Sequence, residues 1–354
     1  MYLHEAMQQK DRKEFVDTMK KEVNDQMVNG NFTIVQKSKV PKGKVILPAV
    51  WQMRRKRNIK TRLVKKYKAR LNIHGSRMKP GIYYDQTYAP VALWHSIMLL
   101  SILVDTMGWY TQQIDYILAF PQAPVEKEIY MKVPKGFQVM GKDQDEYVLK
   151  LNKNVYGQKQ AGGVWNKYLE KKLIEEVGFT KSKFDECIFY KNETICALYT
   201  DDSILVGPDK DEIEQIIGDI QRVNLYITQK GDIQEFLGVN IKSNGTGHID
   251  LTQPHLIDQI LKNIKMEDKN IKMKYTPTTI SQILNRDKHG KAFDKSFHYR
   301  SIIGKLNCLE KGMKSDISYI THQCTRFYEN LKESHTKAIR WLVQCCTSGM
   351  VDLK

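Results

Sequence analysis

The chain has 354 residues, a formal net charge of +16 and a pI near 9.3. That length supports a large core divided into two or three subdomains, and the charge predicts a polyanionic partner, nucleic acid first, unless the lysines serve only solubility. The absence of an eighteen-residue apolar run or secretory signal argues against a membrane partner, and six cysteines without paired metal-ligand spacing argue against a zinc module and read as thiols of a reducing, intracellular compartment.

Taken in chain order, Phe15, Met19, Val23 and Met27 recur every four residues and predict a packing helix that Gly30 stops. From Phe32 to Ile73 short β-like runs alternate with basic turns. Arg54-Arg55-Lys56-Arg57, Lys60, Arg62, Lys65, Lys66, Lys68 and Arg70 crowd into this stretch, which could also serve as a nuclear localisation run. Ser96 to Met107 predicts an apolar helix lying under a sheet.

Gln112 to Phe120 is apolar around a single acid, Asp115, and reads as a buried strand carrying one charge. An unpaired buried carboxylate costs several kcal/mol, so Asp115 is expected to be hydrogen-bonded, metal-bound or a helix cap at the strand end. Val164, Trp165, Tyr168, Leu169, Leu173 and Ile174 predict an amphipathic helix ending at Gly178.

The most informative stretch is Tyr199-Thr200-Asp201-Asp202, set between the apolar runs Ile195–Leu198 and Ile204–Val206. Those runs predict a hairpin with both aspartates at its tip. Alone, the doublet reads as a solvated turn or as a cation site. With Asp115 it predicts a carboxylate cluster for two divalent ions, Mg²⁺ or Mn²⁺, and hence phosphoryl-transfer chemistry.

Beyond the hairpin, Asp209 and Glu212 form a capping-box pattern ahead of Ile213, Ile216, Ile217 and Ile220. Phe236–Ile241 and Ile249–Leu251 flank Asn244-Gly245 as a second hairpin, and Pro254 to Ile264 reads as a helix. Thr276 to Lys295 is a candidate linker. Two faces, Ile317/Ile320/Cys324/Phe327 and Ala338/Ile339/Leu342/Val343/Cys346, predict closing helices.

These blocks resemble the reverse transcriptase of copia-type retrotransposons, and in that family's order. The matching runs are Tyr67-Lys68-Ala69-Arg70-Leu71, Tyr88-Ala89-Pro90-Val91, Asp115 to Phe120, Glu128-Ile129-Tyr130-Met131 with Pro134-Lys135-Gly136-Phe137, and Tyr156-Gly157-Gln158-Lys159-Gln160-Ala161 with Trp165. After the acidic hairpin come Phe236-Leu237-Gly238, Thr276-Pro277 and Tyr299-Arg300-Ser301-Ile302-Ile303-Gly304, so the resemblance runs from about Glu5 to the end.

The resemblance implies an α+β right-hand polymerase fold of fingers, palm and thumb with a C-terminal helical connection region. The expected division is an N-terminal helix over 1–30, the polymerase core over 31–278 and the helical region over 279–354. It also implies RNA-directed DNA polymerase activity with Asp115, Asp201 and Asp202 as catalytic and metal-binding acids. Lys68, Arg70, Tyr116, Phe120 and Gln160 would face the nucleotide, Phe120 as the ring that excludes a ribose 2′-hydroxyl, although a core aromatic is the plainer reading of that residue. Phe236, Leu237 and Gly238 would form the primer grip. The implied partners are an RNA or DNA template–primer, dNTPs and other Pol polyprotein products. The implied location is the cytoplasm, inside a virus-like particle for an active element, or the nucleus.

The chain departs from the family pattern at several places. Thr200 replaces a usual Val and is expected to be benign in a strand. Ala119-Phe120-Pro121-Gln122-Ala123 replaces Ala-Phe-Leu-x-Gly, which puts the turn beside the nucleotide pocket in question. Gln158 replaces a usual Leu, Gly162-Gly163 a Pro-containing pair, and Lys314-Ser315 an Arg-Pro. No protease or integrase motif is found, and Lys354 falls where ribonuclease H would begin, so a polymerase module is expected, as a fragment or truncated product. The alternatives are a catalytically decayed nucleic-acid-binding relic of the same fold and another palm polymerase such as an RNA-dependent RNA polymerase.

Overall fold

The structure is a computed structural model that describes residues 1–57, 63–137, 144–233, 235–236, 238–243, 249–267, 272–279 and 283–348. Helices and mainly antiparallel sheets share the chain, which is therefore of the expected α+β class. It divides into two compact units, Met1–Leu93 with Trp109–Asp232, and Trp94–Gly108 with Ile233–Lys354.

In the first unit, the helix Arg12–Val28 packs on the hairpin of Ala49–Arg57 and Val64–Ile73. Phe15, Met19 and Val23 are buried as the spacing predicts, but Met27 is exposed and Gln26 takes its place. Four-residue steps overshoot a 3.6-residue turn by about 40° each, so the fourth member of the series has rotated off the face. The N-terminal helix shares one core with Trp51, Met53, Leu71 and Met131 and is no separate 1–30 segment.

A four-stranded sheet in the order Phe32–Gln36, Tyr147–Leu151, Tyr130–Lys132, Ile46–Leu47 completes that part of the unit. The rest is a six-stranded antiparallel sheet in the order Ile227–Gly231, Tyr110–Tyr116, Asp202–Gly207, Thr194–Tyr199, Ile188–Lys191, Thr180–Lys181. Ser203 through Gly207 are buried on both faces of their strand. Helix Lys210–Arg222 buries Ile213, Ile216, Ile217 and Ile220, and its Asp209 cap accepts from the backbone N–H of Asp211 at 2.8 Å and of Glu212 at 3.4 Å. Helix Ala161–Lys171 runs on through a π-helical stretch, Lys172–Val177, and stops at Gly178, as expected.

The second unit holds a small antiparallel sheet, Glu235–Phe236, Val239–Ser243 and Ile249–Thr252. Helix Trp94–Met107 meets the last of these strands and so groups with this unit. Helices Pro254–Asn263, Tyr299–Gly312, Ser318–Thr325 and Glu333–Ser348 complete it. The units part at Asp232, not near residue 278, because Ile257, Ile260 and Ile264 share a core with Leu306, Ile320 and Leu342 of the closing helices. No helix or strand occurs among the described residues between Asn263 and Tyr299, where the linker was expected. Five cysteines are buried and Cys308 is exposed.

Candidate active site

The strands Thr194–Tyr199 and Asp202–Gly207 pair from Ile195↔Val206 to Tyr199↔Asp202, leaving a two-residue turn of Thr200 and Asp201. Thr200 lies in this turn at φ 55°, not in a strand as expected, a conformation that β-branched residues seldom adopt. The turn is tied on two sides. Trp165 Nε1 donates to Thr200 O at 2.7 Å, and Tyr116 N donates to Asp201 O at 2.8 Å.

On the other side of the same strand, Asp202 pairs directly across from Asp115. The sheet register thus brings the distant acid to the doublet. Burial, then the neighbouring Asp202 and Asp115 carboxylates, raise the pKa of Asp201, while the Arg70 guanidinium pulls it down. Asp115 and Asp202 both accept from Lys230 Nζ, at 3.0 and 2.5 Å, with their side chains 38% and 31% exposed. Sequence reasoning missed Lys230. Its signal was a lysine breaking the β-like run Tyr226–Gln229 just before Gly231, a strand glycine of the kind that marks bulges.

Tyr116 lies in the core, 2% exposed, with its ring edge-on to Trp165 at 5.2 Å. Its expected contact with a nucleotide is corrected accordingly: the alternation of the strand turns Tyr116 inward beside the outward Asp115. Phe120 starts no irregular turn, because Ala119–Gln122 forms one turn of helix after Leu118 at φ 50°. Pro121 fits there, since first-turn N–H groups have no intrahelical acceptor. Gln122 secures the turn by donating to Ile117 O at 2.7 Å and Tyr226 O at 3.0 Å, and by accepting from Tyr226 N at 3.0 Å.

The Phe120 ring sits 5.2 Å from that of Tyr156, and the Arg70 guanidinium caps the Tyr156 ring at 4.5 Å. Gly157 makes this possible: at φ +90° it lets the chain approach so closely that an added Cβ would lie 2.3 Å from Ile73 O. Tyr156 O meanwhile accepts from Ile73 N at 2.9 Å, which locks the aromatic to the end of the basic hairpin. Gln160 precedes helix Ala161–Lys171 and is 3% exposed, and neither polar atom of its carboxamide has a hydrogen-bond partner among the described residues. The carboxamide of Gln158 is in the same state.

Strand alternation sorts the basic hairpin. Trp51, Met53, Ala69 and Leu71 face the core, and Arg55 turns the same way, where it donates to Asp11 at 2.7 and 2.6 Å and lies over Phe15. Arg54, Lys56, Lys66, Lys68 and Arg70 share the opposite face, with Arg54 across from Lys68 and Lys56 across from Lys66. Like charges in direct opposition repel. Burial, then Arg70, Lys56 and Lys66, push the Lys68 pKa down. Lys60 and Arg62 lie outside the described residues.

In the second unit, Phe236 is buried and Gly238 turns between Glu235–Phe236 and Val239–Ser243 at φ +77°. Leu237, the third expected primer-grip residue, lies outside the described residues, as does the Asn244-Gly245 turn.

Carboxylates gathered at one end of an antiparallel sheet, beside a basic hairpin, are how a polymerase palm is laid out. The reverse transcriptase (RNA-dependent DNA polymerase) family matches residues 29–280. The retrovirus-related Pol polyprotein from transposon TNT 1-94 of Nicotiana tabacum is 29% identical over 359 residues, covering 97% of this chain and 26% of that protein. That from transposon RE1 of Arabidopsis thaliana is 29% identical over 333 residues, covering 93% and 22%. The chain thus spans about a quarter of the length of these relatives. A solved foamy viral protease–reverse transcriptase in complex with double-stranded DNA aligns with a TM-score of 0.46 and 13% identity, covering 92% of this chain and 47% of that one. On the match over residues 29–280, the chain belongs to the reverse transcriptase family, and its relatives are Pol polyproteins of copia-type transposons.

Members of this family use divalent metal ions. No group of three or more His, Cys, Asp or Glu among the described residues stands ready to hold one. The donor set nevertheless fits. Asp115 and Asp202 already converge on one cation, and Asp201 beside them carries the mutual repulsion that a hard dication relieves.

Proposed function

We propose that this chain is the polymerase module of a copia-type element, extending a primer 3′-hydroxyl with dNTPs on an RNA or DNA template. The observation that carries this reading is the cross-strand pairing of Asp202 with Asp115 next to the Asp201 turn. Asp115, Asp201 and Asp202 would hold Mg²⁺, or Mn²⁺ in its place. A bound divalent ion supplies Lewis acidity to the primer hydroxyl and neutralises charge on the triphosphate.

The remaining groups bind and orient. Lys68 and Arg70 stand on the outward basic face and supply cations for the triphosphate. Their mutual repulsion is relieved when a polyanion binds, which favours a charged ligand on this face. Phe120, backed by Tyr156, forms an aromatic floor at the level of the sugar, where a ring excludes a 2′-hydroxyl. The unpartnered Gln160 carboxamide supplies hydrogen bonds for a nucleotide beside it. Arg54 and Lys56 contact template–primer phosphates without reading sequence. Phe236, Leu237 and Gly238 serve as the primer grip.

The decayed-relic alternative drew in part on the Pro121 turn. A proline in the first turn of a short helix is tolerated, so that ground falls away.

The test is primer extension on an RNA template with Mg²⁺. Wild-type protein should extend, and Asp201→Asn should abolish extension while template–primer binding stays within about twofold of wild type, because catalysis and phosphate contact rest on different residues. Phe120→Ala should raise ribonucleotide incorporation in the same assay. Extension by Asp201→Asn at the wild-type rate refutes the reading.

A further inference from the structure

Lys230 sits on the edge strand of the six-stranded sheet at a β-bulge. Thr228 pairs with Asp115, Gln229 with Ile114 and then Gly231 with Gln113, so Lys230 is the extra residue without a ladder partner. Gly231 takes φ +83°, which lets the strand bend back into register. Bulges gather beside active sites because they re-aim one side chain. Here the re-aimed side chain delivers its ammonium to Asp115 Oδ1 at 3.0 Å and Asp202 Oδ1 at 2.5 Å.

We propose that Lys230 is a built-in competitor for the metal site: its ammonium and a divalent cation claim the same two carboxylates, so loading the site requires Lys230 to withdraw. An ammonium and a dication both within about 3 Å of the same oxygen pair would repel strongly, so occupancy is exclusive. The lysine keeps Asp115 and Asp202 from repelling one another while no ion is bound. It thereby holds the strand register until an ion arrives. Its side chain is 39% exposed on a flexible four-carbon stem, so withdrawal into solvent needs no backbone change. The metal requirement of the polymerase is then set partly by a residue that is not a ligand. This inference rests on the proposed function insofar as the two acids are taken as ion ligands.

The measurement is Mn²⁺ binding to the full chain without nucleic acid, followed by the electron paramagnetic resonance of the free ion. Lys230→Met keeps the apolar stem and removes the charge, and Lys230→Gln is a second, polar neutral variant. Both should bind Mn²⁺ about three- to tenfold more tightly than wild type, the range expected for two partly exposed ion pairs. The gain should shrink when Asp202→Asn is added, since the competition is then already weakened. Equal or weaker Mn²⁺ binding by both neutral variants overturns the inference. Primer extension is read separately. A wild-type chain that fails to extend, with the tighter binding of the neutral variants intact, removes the proposed activity but leaves the competition standing.

Discussion

Trp165 Nε1 donates a 2.7 Å hydrogen bond to Thr200 O, so a helix side chain holds the acidic turn from below. The ring that makes this bond also packs edge-on against Tyr116, the neighbour of Asp115. One indole therefore braces both strands that carry the acids.

Trp165→Phe keeps most of the packing and removes the bond. It should cost about 1 kcal/mol of stability in urea unfolding, the usual worth of one part-buried hydrogen bond. An unchanged midpoint would show that the turn holds itself.

Thr200 is a β-branched residue at φ 55°. Asparagine tolerates that region far better, and a left-handed residue costs about 1 kcal/mol relative to one suited to it. Thr200→Asn should therefore raise the unfolding free energy by up to about 1 kcal/mol. A destabilised Thr200→Asn would mean that the threonine side chain contributes more than its backbone costs.

Glu22 on the N-terminal helix accepts from Gln26 Nε2 at 3.2 Å and Leu71 N at 3.4 Å, yet burial raises its pKa above the usual 4.5. A raised carboxyl stabilises the fold fully below its unfolded pKa and loses that contribution as pH rises through the folded value. Glu22→Gln should match wild type in acid and gain in melting temperature from the carboxylate range up to neutrality. Parallel curves of melting temperature against pH would remove the assignment.

Arg54 and Arg55 are adjacent but face opposite ways. Arg55 is engaged by Asp11, which holds that carboxyl well below the usual range, whereas Arg54 stands on the outward basic face. Arg54→Ala should reduce the slope of log affinity against log salt for an RNA–DNA hybrid by about 0.7–0.9, the share of one phosphate contact. Arg55→Ala should instead lower stability and leave the slope nearly unchanged. Equal effects on the slope would show that alternation does not divide the hairpin.

Much of the site is legible because apolar runs expose it. The run around Asp115 and the runs flanking the doublet predict strands, and strands fix which residues can meet. The meeting of Asp115 with the doublet follows from that, whereas only Asp201 lies in the turn and Asp202 pairs within the strand, not at the tip as expected. Three things were hidden. Lys230 reaches the acids through a bulge, and bulges break the period that reveals strands. Tyr116 adjoins a site residue in sequence, but the pleat sends it to the core. Thr200 suits a strand by composition, but the hairpin tip takes it to a positive φ that composition does not report. The division into units was hidden for another reason: the core that joins Ile257 to Leu342 is made of contacts distant in sequence.

The pairing of Asp202 with Asp115 has a consequence for how this lineage can change. Deleting one residue from the Thr200-Asp201 turn, with the strand Thr194–Tyr199 kept in place, would set Ser203 opposite Asp115 and turn the side chains that follow to the other face of the sheet. Replacement of one side chain by another leaves the spacing untouched. Divergence in this hairpin should therefore accumulate as exchanges of side chains at constant length.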